Sequence, residues 1–174
     1  MKPLNRSQIK KLHRDNSELR NERRISFMPL GFESGFNVGH IFRLADAVDA
    51  EKLILTGRTP VPPDHDIEIT SMRQDRRIPF LHFDKYEDAI KFMKDEGWEL
   101  VSIEIASKSI YYKEYRYSQK VCFVLGNEND GVYPYALKHS TGIVSIPMFG
   151  KNYSLNVHVA ASIVCYDAIL RKDA

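Results

Sequence analysis

The feature that most constrains the fold of this chain is an unbroken run of apolar residues from Val121 to Leu125. A strand that is apolar on both faces is typical of the interior of a parallel sheet, because helices then cover both faces. A Gly-Asn-Glu-Asn-Asp-Gly turn follows at residues 126 to 131. Open α/β sheets bind ligands at the carboxyl ends of their strands, so this turn is a candidate binding site. A plain Asn-Asp-Gly turn with no ligand is the alternative.

Strand and helix patterns alternate along the rest of the chain. We predict strands over residues 25–30, 52–56, 78–83, 98–105, 120–125 and 143–146. We predict helices over 7–23, 37–48, 86–96 and 154–171, with Ser7, Asn37 and Ser154 as N-caps. Residues 56–66 form a Pro-rich loop, and the Tyr- and Lys-rich stretch 107–120 is a loop or a short helix. This alternation predicts an α/β fold with a largely parallel sheet flanked by helices.

The composition is that of one folded domain with no membrane segment. The chain has 174 residues, of which 43% are apolar and 28% charged, enough to build one core. Mean hydropathy is −0.37, and no apolar run reaches the roughly 18 residues of a membrane span. The N-terminus lacks the apolar segment of a secretory signal. Cys122 and Cys165 lie in apolar runs, which predicts two reduced, buried thiols in a cytoplasmic protein, with one disulfide as the alternative.

The net charge of +2 is unevenly distributed. Residues 1–24 hold eight Lys or Arg and three acidic residues, which gives this segment +5 and leaves the rest of the chain at −3. We therefore divide the chain into a basic N-terminal helical arm, residues 1–24, and a body, residues 25–174. A basic arm on a mildly acidic body fits a polyanionic partner. A solvated amphipathic helix with no partner is the alternative.

The last helix is apolar around nearly its whole circumference, between Leu155 and Leu170. Such a helix needs cover on more than one side. The sheet supplies one cover, and a second subunit is a candidate for the other, which predicts a homodimer. Complete burial inside one subunit is the alternative.

Two further clusters combine glycine with polar residues. In Asn-Val-Gly-His-Ile-Phe-Arg, residues 37 to 43, Arg43 projects away from the apolar face of its helix. An arginine near the start of a helix suits a phosphate, although a surface arginine explains the pattern as well. Ile-Pro-Met-Phe-Gly, residues 146 to 150, leads to Ser154 and Asn156, and such a loop is suited to lining a pocket. Asp64, His65 and Asp66 have side chains that bind metals, but in a Pro-rich loop we predict no metal site.

Taken in order, the three clusters closely resemble the signature motifs of the SpoU/TrmH family of RNA ribose 2′-O-methyltransferases, in the SPOUT superfamily. The matching segments are NVGHIFRLADA, FVLGNENDGV and SIPMFGKNYSLNVHVAA, and the resemblance extends from about Gly31 to about Leu170. It implies a SPOUT methyltransferase domain in the body, with a trefoil knot near its C-terminus, an exception to the rule that chains do not thread loops. It also implies S-adenosylmethionine as the methyl donor, RNA as the substrate, a homodimer and no metal.

The same resemblance implies the site residues. Arg43 matches the catalytic arginine of the family, and four positions match its other characteristic polar residues: Asn37, Glu128, Ser154 and Asn156. The cofactor would contact three loops, through Ile103, Glu104, Leu125, Gly126, Ile146, Pro147, Met148 and Leu155. His158 stands where the family commonly has a small residue, and we expect it to be packed rather than catalytic.

The implied chemistry suits these residue types. A ribose 2′-hydroxyl must lose its proton as it attacks the sulfonium methyl, so the site has to align the reacting atoms and accept a proton. The resemblance implies that Arg43 is the base that accepts the proton of the 2′-hydroxyl. Because a guanidinium holds its proton strongly, the other reading is that Arg43 binds an RNA phosphate and stabilises the developing alkoxide.

For RNA contact we predict four residues of the arm, Lys10, Lys11, Arg23 and Arg24, together with the Tyr-, Lys- and Arg-rich segment 111–117. The small size of the chain favours tRNA over rRNA as the substrate. A catalytically silent RNA-binding protein on the same fold is the main alternative, and a small-molecule methyltransferase or nucleotide-binding protein is another.

Overall fold

The computed structural model of the chain describes residues 2–171. Six α-helices and seven strands are present in this range. The helices are α1 Arg6–Asp15, α2 Gly35–Ala47, α3 His65–Ser71, α4 Tyr86–Asp95, α5 Pro134–His139 and α6 Val157–Leu170. The strands are β1 Arg24–Pro29, β2 Lys52–Thr56, β3 Phe80–Phe83, β4 Glu99–Ile103, β5 Ile110–Tyr111, β6 Lys120–Leu125 and β7 Gly142–Ser145. Two 3₁₀ turns lie at Asn16–Leu19 and Gln74–Arg76.

The strands form one sheet in the order β3-β2-β1-β6-β4-β7-β5, and each neighbouring pair is parallel. The apolar strand β6 is central and pairs with β1 over six residues, from Arg24 opposite Lys120 to Pro29 opposite Leu125. The predicted α/β fold with a buried parallel strand is therefore confirmed. The trefoil knot stays a prediction; β7, late in the chain, lies between β4 and β5.

Helices cover both faces of the sheet. Successive residues of a strand point to opposite faces, and those of β6 enter two separate cores. Phe123 packs in the core beneath α2 and α6. Cys122 packs in the other core, beneath α4 and α5. Both cysteines are buried and form no disulfide, as predicted. Burial raises the pKa of the Cys122 thiol to about 12.

Helix α3 was not predicted, because its seven residues follow the Pro-rich loop. Packing against α2 stabilises this short helix. A Cβ added at Gly39 of α2 would meet Thr70 Oγ1 and would lie 2.7 Å from the Ile67 carbonyl oxygen. Only glycine permits this approach of the two backbones. Within α3, Asp64 accepts hydrogen bonds from the amides of Asp66 and Ile67, so this acidic side chain serves as the N-cap.

All three predicted N-caps are wrong, each by two or three residues. Asn5 rather than Ser7 caps α1, through a reciprocal pair of hydrogen bonds with Gln8. Ser34 rather than Asn37 caps α2, and Asn156 rather than Ser154 caps α6. The prediction of a loop or helix at 107–120 is also incomplete, because Ile110 and Tyr111 form the edge strand β5.

Within residues 2–171, helix α6 is covered on one side only. Ala161, Val164, Cys165 and Ala168 are buried against the sheet. On the outer side Val159, Tyr166 and Leu170 are each 38% to 49% exposed. Complete burial within one subunit, the alternative for this helix, is therefore wrong. In the part of the chain that the structure describes, no helix is long and apolar enough to cross a membrane.

Candidate active site

A cavity of about 460 Å³ opens at the carboxyl ends of β4, β6 and β7. This is the edge of the sheet where the three sequence clusters were expected to meet. Its wall joins the end of β4, the turn after β6, the segment after β7 and the start of α6. The volume is within the usual range of small-molecule sites, about 300 to 1,000 Å³.

Most of the predicted site residues line this cavity. Seven of the eight predicted cofactor residues do so: Ile103, Glu104, Leu125, Gly126, Ile146, Met148 and Leu155. Four of the five predicted catalytic residues also do: Asn37, Glu128, Ser154 and Asn156. Pro147 and Arg43 are not among the lining residues.

Glu128 connects the turn after β6 to the start of α2. Its carboxylate accepts hydrogen bonds from the backbone amides of Glu33 (3.0 Å) and Ser34 (3.3 Å), and from Asn37 Nδ2 (2.8 Å). Partial burial by itself raises the pKa of this carboxyl, but the three hydrogen bonds outweigh it and hold the pKa below the usual value. Glu128 is therefore an anion at neutral pH.

The hydrogen-bonded chain continues from Asn37 to α6. Asn156 Nδ2 lies 3.4 Å from Asn37 Oδ1, and Asn156 Oδ1 accepts a hydrogen bond from the His158 amide. Asn156 thus caps the N-terminus of α6 and also reaches across to Asn37 of α2. This arrangement explains why Asn37 does not cap its own helix: its side chain is turned toward Glu128 and Asn156.

Asn127 and Glu104 shape the turn at the base of the cavity. Asn127 is buried; its side chain donates to the Gly31 carbonyl (2.6 Å) and accepts from the amides of Asn129 and Asp130. Glu104 accepts from the Val132 amide at 2.9 Å. A role for Asn127 was not predicted, because a turn asparagine gives no signal of a contact 96 residues away.

Arg43 lies outside the cavity on the exposed side of α2. It follows Asn37 by six residues, which in an α-helix is about 9 Å along the axis and about 120° around it. Within residues 2–171 no carboxylate lies within 4.0 Å of its guanidinium. The exposure predicted for Arg43 is confirmed, but its own chain does not bring it to the cavity wall.

His40 and His158 pack together where α2 meets α6, with ring centroids 4.2 Å apart. Burial and the neighbouring His40 lower the pKa of His158. The packed histidine that was expected at position 158 is confirmed, and its partner was not predicted.

The family model of the SpoU rRNA Methylase family matches residues 27–166. The chain belongs to this family. It is therefore a member of a family of RNA methyltransferases, as its three sequence clusters indicate.

Two curated relatives show the range of similarity to this SpoU family member. A Staphylococcus saprophyticus protein named as a TrmH family tRNA/rRNA methyltransferase is 29% identical over 143 residues, covering 82% of this chain and 57% of its own length. The Escherichia coli tRNA (guanosine(18)-2'-O)-methyltransferase is 30% identical over 81 residues, covering 47% of this chain and 35% of its own. The chain thus spans little more than half the length of the first of these relatives.

Solved structures show the same fold. An AdoMet-bound rRNA methyltransferase from Sinorhizobium meliloti has a TM-score of 0.79 at 26% identity, over 85% of this chain and 56% of that one. The Aquifex aeolicus protein described as a TrmH/SpoU tRNA modifying enzyme has a TM-score of 0.75 at 24% identity, over 93% of this chain and 82% of that one. The SPOUT architecture predicted for this SpoU family member is confirmed.

The four residues predicted to contact RNA lie in different settings. Lys10 and Lys11 are exposed on α1, which buries no residue. Arg24 forms an ion pair with Glu51. Because it is the first residue of β1, it lies at the amino ends of the strands, about 17 Å along the strand from the end where the cavity opens.

Arg23 is the one clear error among these four residues. It is 3% exposed, and its guanidinium donates to the carbonyls of Tyr117, Ser118 and Ala168. A guanidinium enclosed by backbone carbonyls joins parts of the fold and is not presented to RNA. Asn21 likewise bonds α6, so the predicted arm is built into the body from residue 21 onward.

The aromatic segment 111–117 is also partly structural. Tyr117 is 5% exposed and donates to the Tyr112 carbonyl, and Tyr115 donates to Glu99. Burial raises the pKa of both phenols. The members of the segment that remain exposed are Tyr111, Lys113, Glu114 and Arg116.

Proposed function

We propose that this chain transfers a methyl group from S-adenosylmethionine to a ribose 2′-hydroxyl of RNA, with tRNA favoured over rRNA. The observation that carries the proposal is the hydrogen-bonded chain from Glu128 through Asn37 to Asn156 on the wall of the cavity. It unites the three sequence clusters at one place. The similarity to the Escherichia coli tRNA (guanosine(18)-2'-O)-methyltransferase supports both the ribose hydroxyl as acceptor and tRNA as substrate.

The lining of the cavity suits S-adenosylmethionine. Ile103, Leu125 and Met148 offer apolar surface for a flat base, and Glu104 with the turn after β6 offers polar groups for a ribose or an amino acid moiety. At Gly126 a Cβ would lie 2.7 Å from Gly131 Cα, so only glycine lets the two ends of this turn approach each other so closely. When bound, the cofactor supplies an activated methyl group on a sulfonium.

The polar residues of the chain have positioning roles in this proposal. Ionised Glu128 fixes the Asn37 amide, and Asn37 holds Asn156 at the start of α6. Together they keep the turn after β6 and the N-terminus of α6 at a fixed separation on either side of the cavity. Alignment of this kind is the main requirement of an in-line methyl transfer. Ser154 is exposed at the rim of the cavity, and we assign it to contact with the ribose of the RNA substrate.

Arg43, which its own chain holds outside the cavity, binds a phosphate of the substrate in this proposal, and it stabilises the alkoxide at the 2′-oxygen once the bound RNA or the second subunit brings that oxygen within its reach. Its exposure and the absence of a carboxylate within 4.0 Å, among residues 2–171, leave the guanidinium available to an anion. Arginine suits this role because it offers two parallel donors to phosphate. Transfer of the hydroxyl proton to Arg43 itself is the alternative role.

We further propose that the body, residues 25–174, is the methyltransferase domain and works as a homodimer through the outer side of α6. Lys10 and Lys11 of the arm are proposed to add phosphate contacts, which fits the all-exposed α1 and its lack of acidic residues in the first turn.

The test is transfer of labelled methyl from S-adenosylmethionine to total tRNA and, separately, to rRNA, with nuclease mapping of the product. Arg43→Ala is the matched variant, because the residue is exposed and its loss leaves the core intact. We expect label in a nuclease-resistant 2′-O-methyl dinucleotide from tRNA, and a loss of at least about 100-fold in the variant.

Other outcomes contradict the proposal in distinguishable ways. Label on a base rather than a ribose would reject the 2′-hydroxyl. Label in rRNA alone would reject tRNA. RNA binding without methyl transfer and without cofactor binding would identify a catalytically silent RNA-binding protein on this fold.

A further inference from the structure

The turn between α3 and β3 carries two consecutive residues in left-handed backbone conformation. Met72 has φ 55° and ψ 38°, and Arg73 has φ 68° and ψ 16°. For residues with a Cβ this region costs about 1 kcal/mol or more each. The turn is fixed by Ser71, whose hydroxyl donates to the buried Asp75 (2.5 Å) and accepts from the Arg73 amide (3.1 Å). The result is that Met72 and Arg73 both project into solvent.

This turn lies beside the exposed side of α2. The Phe36 carbonyl accepts a hydrogen bond from Thr70 Oγ1, and farther along α2 Asp46 lies 3.8 Å from Arg77. Phe36 and Asp46 are ten residues apart, so the segment 70–77 follows α2 for nearly three turns.

Arg43 stands between these two contacts. Phe36, Arg43 and Asp46 recur at spacings of seven and three residues, which places them on one side of the helix. Arg43 is thereby grouped with Arg73 and Arg77 on a single surface formed by α2 and the turn.

The charge on this surface is predominantly positive. Arg76 is neutralised by Glu68 at 2.5 Å, and Arg77 has only the longer contact with Asp46 while its side chain is 71% exposed. In the described range, 2–171, neither Arg43 nor Arg73 has a carboxylate within 4.0 Å.

Apolar side chains are interspersed with these cations. Phe36 is 46% exposed and Met72 63%. A flat or flexible apolar side chain between free arginines is the combination that suits unpaired RNA, because its bases stack on such groups while its phosphates bind guanidinium.

We propose that the α2–turn surface, formed by Phe36, Arg43, Met72, Arg73 and Arg77, binds unpaired RNA next to the nucleotide that is methylated. Arg73 and Arg77 contact successive phosphates, and Phe36 with Met72 receives a base. The inference rests on the proposed function, since it takes Arg43 as the point where RNA enters the site. It assigns RNA binding to a part of the body that is separate from the N-terminal arm.

The test measures the affinity of the full chain for tRNA as a function of salt, for Arg73→Gly, Arg77→Gln and the double variant. Glycine is chosen at position 73 because it adopts φ 68° without strain, so the charge is removed while the turn is preserved. Lys91→Gln is the control, because Lys91 is exposed on α4, on the opposite face of the sheet.

Each variant is expected to bind tRNA about five-fold more weakly at 0.1 M salt and to reduce the slope of log K against log salt by about 0.7; the double variant is expected to show both losses. Thermal stability of Arg73→Gly should equal or exceed that of the parent chain. The control should leave affinity and slope unchanged.

Unchanged affinity and slope in the double variant, with the fold intact by circular dichroism, would overturn the inference. So would a change of oligomeric state in sedimentation, which would mark the surface as an interface between copies of the chain. Failure of the proposed function is a different result: the parent chain would then bind tRNA through this surface and transfer no methyl group to it.

Discussion

At the scale of single residues, Glu128 is the side chain that joins the turn after β6 to the start of α2. Its carboxylate accepts three hydrogen bonds, and the carbonyl oxygen of a glutamine has too few lone pairs to accept all three with good geometry. For Glu128→Gln we expect methyl transfer to fall about 10- to 100-fold and the free energy of unfolding to fall by about 1–2 kcal/mol. Single-turnover kinetics and urea titration measure the two effects, and an unchanged transfer rate would contradict the positioning role.

The same residue predicts a pH dependence. The folded-state pKa of Glu128 lies below its usual value of 4.5. The stability that this shift contributes is therefore fully present above pH 4.5 and is lost as the pH falls through the lower folded-state pKa. The difference in unfolding free energy between the parent chain and Glu128→Gln should be constant from pH 7 to about 5 and should shrink in more acidic buffer. A difference that persists unchanged at the lowest pH would contradict an ionised Glu128.

Arg23 shows how a residue that looks like a surface cation can belong to the core. Its guanidinium is surrounded by three backbone carbonyls from two distant parts of the chain. We expect Arg23→Gln to lower the free energy of unfolding by about 2–4 kcal/mol, because buried acceptors lose their donors. Arg24→Gln, at a side chain 56% exposed, is the matched control and should cost well under 1 kcal/mol. Equal costs in urea denaturation would contradict this assignment.

At the scale of elements, the crossing of α2 and α3 depends on Gly39. An alanine would gain about 1 kcal/mol of helix propensity at this position, but its Cβ would lie 2.7 Å from the Ile67 carbonyl. We expect the steric cost to prevail and Gly39→Ala to destabilise the chain by about 1–3 kcal/mol. Gly150→Ala is the control, since nothing lies within 4 Å of its added Cβ. A more stable Gly39→Ala chain in thermal melts would contradict the close crossing.

The sequence predicts an element well where its own apolar pattern matches the way it is buried in the fold. Strand β2 was predicted at its observed bounds, Lys52–Thr56, and β6 at Lys120–Leu125, because apolar side chains on both faces leave no other element available. Helix α3 could not be predicted, because its stability comes from the fit of Gly39 of α2 against it rather than from its own seven residues.

The site was predicted to a similar extent and for similar reasons. The three sequence clusters indicated which polar residues come together, because parallel strands end at the same edge of the sheet. They did not tell which residue caps each helix. Asn37 was predicted as a cap, yet its side chain bonds Glu128, 91 residues away, and a contact at that separation leaves no local pattern. Arg23 was misplaced for the same reason, because its carbonyl partners lie at least 94 residues away.

At the scale of the whole molecule, the outer side of α6 is an apolar surface that residues 2–171 leave exposed. Val159, Tyr166 and Leu170 recur at spacings of seven and four residues, which forms one apolar stripe along the helix. Two more aromatic residues, Phe149 and Tyr153, are 95% and 90% exposed in the loop before α6. Large aromatic side chains left this open are typical of an interface, and the same stripe on a second copy is self-complementary in a two-fold dimer.

The proposed dimer predicts a specific response to charge on this stripe. In Tyr166→Glu the carboxylate would lose its water on association, so we expect the dimer to dissociate at least about 100-fold more readily while the monomer stays folded. Gln119→Glu, in the exposed turn before β6, is the control and should leave association unchanged. Sedimentation equilibrium across a range of concentrations measures the effect, and the melting temperature of the parent chain should rise with concentration as for any obligate association. A parent chain that is monomeric at 100 times the enzyme concentration used for methyl transfer would show that one copy suffices, and that α6 presents its stripe to the RNA or to solvent instead.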